Sequence, residues 1–249
     1  MDTNISPDSI ETKEETTQEM SSSQNSEKNS DLNNHPVLDG ISKFLSFVFF
    51  PLFIPIFGIT LLFNMDIFSF YPKRLTILSY YVVIFFTILL PLFFIQLLAI
   101  TKIISDAKMR EKEDRIIPYI ITSILFLLGS CMLFRLGMPL FFINISISAS
   151  IAILIDAIIS KWWKISAHMT GIGGLSAGIV LVGIATYVNT STTLILALIV
   201  AGVLASARIQ LKRHTLAQIV AGFLNGFISV FLFSLINWGS LLRSIFSPI

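Results

Sequence analysis

The chain has 249 residues, of which 54% are hydrophobic and only 13% charged. Together with a strongly positive mean hydropathy, this excludes an ordinary soluble domain and points to a polytopic membrane protein. The net charge of +2 hides a division: residues 1–40 carry nine acids against two Lys/Arg, whereas residues 41–249 carry fifteen Lys/Arg against six acids. A basic membrane part suits anionic headgroups or phosphates, although anchoring of helix ends alone accounts for about half of these cations.

Residues 1–36 are rich in Ser, Asn, Glu, Asp and Thr and almost empty of apolar side chains. Such a stretch cannot bury enough surface to offset its ordering entropy, so residues 1–40 are expected to form a disordered acidic tail ahead of a transmembrane domain, 41–249. Being acidic and lacking an apolar run, the tail does not read as a signal peptide. The first apolar segment is Phe44–Phe63, where Pro51 and Pro55 should bend or break the helix, or make it re-entrant. Leu75–Ile100 follows, with Pro91 as a kink. Pro118–Phe134 and Pro139–Ile159 are joined by a tight turn at Arg135 to Met138. Met169–Tyr187 is the fifth segment, Thr193–Ala207 a short sixth, and Leu216–Trp238 the seventh. A helix needs about twenty residues to cross the hydrocarbon, so the sixth is expected to tilt or lean on its neighbours. The fold class is therefore all-α, a membrane bundle of six or seven helices. Gly171, Gly174 and Gly178, and again Gly222 and Gly226, recur at helical spacing and predict close helix packing. The single cysteine, Cys131, sits in an apolar run and permits no intrachain disulfide.

The polar loops carry the chemistry. One holds Lys108 and Arg115; the next runs from Lys161 through Trp162, Trp163 and Lys164 to Ser166, Ala167 and His168; the last holds Arg208, Lys212, Arg213 and His214. Each pair of loops is separated by two apolar segments, so all three reach the same membrane face. Lys161, Trp162, Trp163 and Lys164 are explained as an interfacial belt. The remaining residues match what phosphate handling needs. Arg forks and Lys point charges neutralise oxyanions, one histidine serves as nucleophile, and another supplies the proton for the leaving oxygen. No spacing of His, Cys or carboxylates reads as a metal site, and no cofactor is expected.

In this pattern, Lys108-x6-Arg115, Ser166-Ala167-His168 and Ser206-Ala207-Arg208-x5-His214, the chain resembles the type 2 phosphatidic acid phosphatase superfamily, an integral-membrane fold related to vanadium haloperoxidases. The resemblance covers roughly residues 102–226. The family signature is Lys-x6-Arg-Pro, Pro-Ser-Gly-His and Ser-Arg-x5-His-x3-Asp. Carried over by position, it implies that His214 is the nucleophile forming a phosphohistidine and His168 the general acid. It implies that Lys108, Arg115 and Arg208 bind the phosphoryl oxygens, with the Ser166 hydroxyl and the Ala167 amide. Gln218 stands where the family has its aspartate, Ala167 where it has glycine, and the first proline is displaced to Pro118. His214 and Gln218 share a helix face. Gln218 can orient the imidazole through its oxygen, or donate through its amide and select the other tautomer; either way it cannot neutralise an imidazolium.

The resemblance implies a metal-independent phosphatase of lipid phosphates or lipid diphosphates in a cell membrane of bacterial type. A catalytically weak lipid-phosphate-binding or scaffolding protein is the alternative, motivated by Gln218. A small transporter is the third reading, supported only by the kinked first segment and the Gly-rich fifth. The expected partners are the bilayer and a phosphate-bearing lipid, with no nucleic acid; a homo-oligomer stays open. Sidedness is open as well. The excess of cations on the motif face places it in the cytoplasm by the positive-inside rule, the phosphate site is basic for its own reasons, and the resemblance implies an outward face.

Overall fold

The computed structural model describes residues 36–65, 71–107, 109 and 111–246. The expected disorder of the tail up to residue 35, and Lys108, lie outside the described residues. Every described element is helical, with no strand among the described residues. Six helical stretches are long and apolar enough to cross a membrane, or seven if a bent pair at the start counts as one span. The chain is a multi-pass helical membrane bundle.

Residues 36–40, expected to belong to the tail, instead open α1 (Pro36–Val48). A proline suits a first helical position, where its missing N–H would be unpaired anyway. The segment expected at 44–63 is broken: α1 ends at Val48, a 3₁₀ turn covers Pro51–Phe53, and α2 (Ile54–Phe63) follows, bent by 40° from α1. Pro51 has no N–H to continue the ladder, and the Phe50 amide turns back to the Phe47 carbonyl. That leaves the Ser46 carbonyl without its helical partner. α2 then runs away from the motif face, because Leu62 belongs to the same buried cluster as Val82, Leu133, Ile143 and Val182.

α3 (Lys73–Ile84) and α4 (Leu90–Ile100) form one span, joined by a π turn at Phe85–Leu89. The π turn sits just before Pro91, where the wider i→i−5 bonding of the Leu90 amide to Phe85 accommodates the proline without breaking the helix. α5 (Ile116–Arg135) and α6 (Leu140–Ile159) make the expected hairpin through Gly137, whose φ of +76° a side-chain-bearing residue would resist. Serines hold this pair together: Ser123 and Ser150 each donate to the other's carbonyl, at 2.8 and 3.0 Å, and the hydroxyls of Ser130 and Ser146 lie 2.7 Å apart. Such bonds replace the hydrophobic driving force that helices lack inside lipid.

α7 (Ala167–Thr186), α8 (Ser191–Gln210) and α9 (Leu216–Phe233) complete the bundle. α8 has 20 residues and is long and apolar enough to cross a membrane, longer than the fifteen-residue stretch expected, because Ser191 and Thr192 enter its first turn and Arg208 and Gln210 extend its last. The last apolar segment is not one helix to Trp238. It ends at Phe233, and a separate α10 (Trp238–Phe246) returns along the far face, with Leu242 packed into the far cluster. α7 and α9 touch through their backbones: a Cβ at Gly226 would run into the Thr170 carbonyl, and one at Gly222 would lie 2.5 Å from the Ser166 carbonyl.

Candidate functional site

The loops that precede α5, α7 and α9, the last turn of α8 and the broken start of the chain meet at one end of the bundle. Each contributes through a local reason. Arg115 lies in a 3₁₀ turn, Glu113–Arg115, at the start of α5 and is buried at 8% exposure. Its Nε donates to the Met109 carbonyl and its Nη1 to the Ile165 carbonyl, both at 3.0 Å, and its guanidinium reaches the Tyr119 hydroxyl. Arg115 thus straps the first loop to the second while keeping a buried cation at the site. Asp114 secures the same loop by accepting from the Ser105 amide at 2.9 Å.

Ser166 is the N-cap of α7 and is fully buried, yet its hydroxyl does not cap the helix and has no hydrogen-bond partner. Buried hydroxyls are rarely left unpaired. The Ser166 amide donates to the Gln218 carbonyl at 3.4 Å, which ties the Ser-Ala-His loop to α9. As the first residues of α7, Ala167 and His168 have amides with no intrahelical acceptor, and helix starts of this kind favour anions. The His168 Nε2 lies 3.0 Å from the Ser46 carbonyl, so that nitrogen carries the proton and donates it. The Phe50 ring packs edge-on at 5.8 Å from the imidazole. The helix break at Pro51 therefore supplies the clamp on His168, a link that no side-chain pattern predicts.

Arg208 comes from the last turn of α8. Its Nη1 donates to the Ser46 hydroxyl at 3.4 Å, and its buried Nε has no partner. His214, 8% exposed, precedes α9. Thr215 and Gln218 close a capping box: the Gln218 amide donates to Thr215 Oγ1 at 3.4 Å, and the Thr215 amide donates to Gln218 Oε1 at 3.2 Å. His214 Nδ1 lies 3.2 Å from the same Oε1. A backbone N–H can only donate, so the box fixes which end of the glutamine side chain faces the histidine. Nδ1 must then be the protonated nitrogen, which leaves the lone pair on Nε2. This answers the tautomer question that Gln218 raised in the sequence.

The electrostatics follow from these neighbours. Burial first, then the Arg208 and Arg115 charges, push the His214 pKa down from 6.5 to about 4, against the pull of Gln218 Oε1 and the Lys164 carbonyl. Burial, then the Arg115, Arg213 and Arg208 charges, also lower the Lys164 ammonium, opposed by Glu111. Trp162 is exposed and fits the interfacial belt.

Arg115, Ala167, His168, Arg208 and His214 line one cavity of about 260 Å³. Its other walls are mainly apolar, with Thr87, Thr122, Ser146, Asp156 and Thr170 among them, and reach Leu62, Val82, Leu133 and Val182. From Ala167 to Val182 along α7 it runs roughly 22 Å at about 1.5 Å per residue. Of the residues expected at the site, Ser166 and Gln218 stand directly behind this lining and Lys108 is outside the described residues. Asp156 and Tyr119 also line the cavity; in the sequence Asp156 stands out only as an acid near a segment end, and Tyr119 not at all. An acid inside an apolar run was the available signal for Asp156. Among the described residues, no three His, Cys, Asp or Glu side chains gather to hold a metal ion.

The architecture and this basic-ended cavity define a class: a multi-pass helical membrane protein with an interior site. No protein-family model, no curated protein and no solved structure matches the chain.

Proposed function

We propose that the chain is an integral-membrane phosphatase of lipid phosphates or lipid diphosphates, working through a phosphohistidine at His214. The observation that carries this reading is the meeting of Arg115, Arg208, His168 and His214, drawn from four separate elements, at the end of one long apolar cavity. Two guanidiniums supply fixed positive charge for phosphoryl oxygens, with the unpaired Arg208 Nε and Ser166 hydroxyl as further donors. The apolar length accepts a lipid tail. In the reaction, the His214 Nε2 lone pair attacks phosphorus and the bond from phosphorus to the lipid oxygen breaks. His168, as the imidazolium, gives a proton to that oxygen and takes one back from the water that then cleaves the phosphorus–nitrogen bond, which releases phosphate and restores both histidines. Purified protein should release phosphate from a lipid-phosphate panel and, after rapid quenching, carry an acid-labile, base-stable phosphoryl group. Absence of both would end this reading.

A second reading, a lipid-phosphate-binding protein with little turnover, rests on two specific observations. The His168 proton is given to the Ser46 carbonyl rather than directed at a leaving group. Gln218 orients His214 without offsetting the positive charge that the ring gains. Gln218→Glu separates the two readings. It keeps an oxygen on both Nδ1–H and the Thr215 amide, and it adds the missing charge. In an active enzyme it should raise kcat by roughly 10- to 100-fold.

The pH profile changes with it. His214 must be neutral to attack, and its folded pKa is depressed to about 4. The acid limb of kcat/KM, which reports the free protein, should therefore fall near pH 4 and not near 6.5. A carboxylate at position 218 favours the imidazolium, so Gln218→Glu should move that limb upward by about 1–2 units. Profiles recorded from pH 3 to 8 on both forms check the sign.

A further inference from the structure

One ionisable group in the cavity has no part in the chemistry above. Asp156 lies one turn before the end of α6, is 2% exposed, and lines the same cavity as the cations. Three helices build its surroundings. Thr170 Oγ1 of α7 donates to Asp156 Oδ1 at 3.0 Å, and Asn225 Nδ2 of α9 donates to the same oxygen at 2.8 Å. Asn225 is itself fixed: its Nδ2 also donates to the Ala152 carbonyl at 3.1 Å, and its Oδ1 accepts from Ser229 at 3.0 Å. Both donors to Asp156 act on Oδ1, so the cluster orients the carboxylate without using its second oxygen. No Lys or Arg lies within ion-pair distance of it among the described residues. An ionisable group kept in a membrane interior with no cation in ion-pair contact, and held in place by three helices, marks a ligand pathway more often than a packing contact.

Depth and bore narrow the ligand. Thr170, which bonds Asp156, follows His168 by two residues on α7, so Asp156 sits about 3 Å along that helix from the level of His168. That is the level of the first atoms of a lipid beyond its phosphate. The cavity's volume of about 260 Å³ is below the usual 300–1,000 Å³ of ligand pockets, yet it is drawn out over roughly 22 Å. Averaged over that length, this is room for about one acyl chain. A tail passing from bilayer to cavity exchanges one apolar setting for another, so the bore excludes rather than attracts. Discrimination then falls to the polar groups at the head.

We infer that Asp156 selects the ligand, accepting a hydrogen bond from a hydroxyl or ammonium group carried next to the phosphate of a single-chain lipid. This rests on the lipid-phosphate reading and names its ligand class. A site built around a hydrogen-bonding group rejects an analogue that lacks the partner, because its own polar atom is then left unpaired. A second chain would have no room beside the first, so two-chain lipids should bind more weakly.

The test compares four lipids of matched chain length on the purified full chain in detergent: a lysophosphatidate, a sphingoid base phosphate, an alkyl phosphate with no second polar group, and a phosphatidate. Binding and phosphate release are measured separately for wild type and Asp156→Asn. Wild type should bind one or both of the first two about 10- to 100-fold more tightly than the alkyl phosphate. Hydroxyl and ammonium are told apart by which of the two it favours. Asp156→Asn should bring the favoured lipid to within about threefold of the alkyl phosphate. Equal binding of the three single-chain lipids by wild type would overturn the inference, as would phosphatidate binding as tightly as the favoured lipid. A folded Asp156→Asn, verified by its thermal transition, that keeps the full preference or loses all lipids in equal measure would do the same. Selective binding without phosphate release would sustain the inference and end the phosphatase reading.

Discussion

Phosphate release by the His214→Ala variant should fall by at least about 10⁴-fold, to the uncatalysed background, while binding of the same lipid phosphate weakens by no more than about tenfold. The asymmetry follows from what the side chain touches. Arg115 is held by carbonyls of Met109 and Ile165, and Arg208 by the Ser46 hydroxyl; neither depends on the imidazole. Removing the ring leaves the cationic end standing and deletes only the atom that forms the new bond. His168→Ala should be milder, about 10²- to 10⁴-fold, because a general acid assists a step that can proceed slowly without it. It also frees the Ser46 carbonyl and loosens the chain's broken start against α7. Assays of release and binding on the same preparations decide the matter: turnover that survives His214→Ala at more than a tenth of the wild-type rate would rule out the phosphohistidine route. A loss of binding as large as the loss of turnover would mean that His214 holds the ligand rather than attacking it.

The helices were legible because apolar runs near twenty residues have few alternatives in a chain of this composition. The common face of the three loops was legible by counting crossings. The places where reading failed share a cause. α8 was read too short because Arg208 and Gln210 look like loop residues, although a helix can carry them past the hydrocarbon edge at no cost to its backbone bonds. α10 was missed because nine residues with a basic side chain lack the length that marks a span. The clamp on His168 comes from a main-chain carbonyl, which every residue type carries, so no sequence pattern marks Ser46 for it. Asp156 was visible as a residue and invisible as a site, since its partners lie 14 and 69 positions away. Gln218 shows the converse. The sequence placed Gln218 one helical turn beyond His214, and only the hydrogen bond from the Thr215 amide showed which end of it faces His214.

The second large effect concerns a residue with no side chain at all. Gly226→Val should cost at least about 4 kcal/mol and leave little folded protein. A Cβ at this position runs into the Thr170 carbonyl and lies 2.8 Å from the Gly174 amide nitrogen, and both are backbone atoms of a helix that cannot rotate away as a side chain would. Relief requires α7 and α9 to separate. That separation acts directly on the site, because Thr170 and Asn225 reach Asp156 from those two helices and the Ser166 amide bonds the Gln218 carbonyl across them. Gly226→Ala should show the same fault in weaker form: a lower thermal transition, with lipid selectivity lost before binding. Gly202 in α8 is the matched control, since nothing lies within 4 Å of a Cβ there. Gly202→Ala should be neutral or stabilising by up to about 1 kcal/mol, from helix propensity alone. Thermal transitions of the three variants in one detergent compare them. Equal tolerance of the Gly226 and Gly202 substitutions would mean that the close approach of α7 and α9 is not what holds the site together.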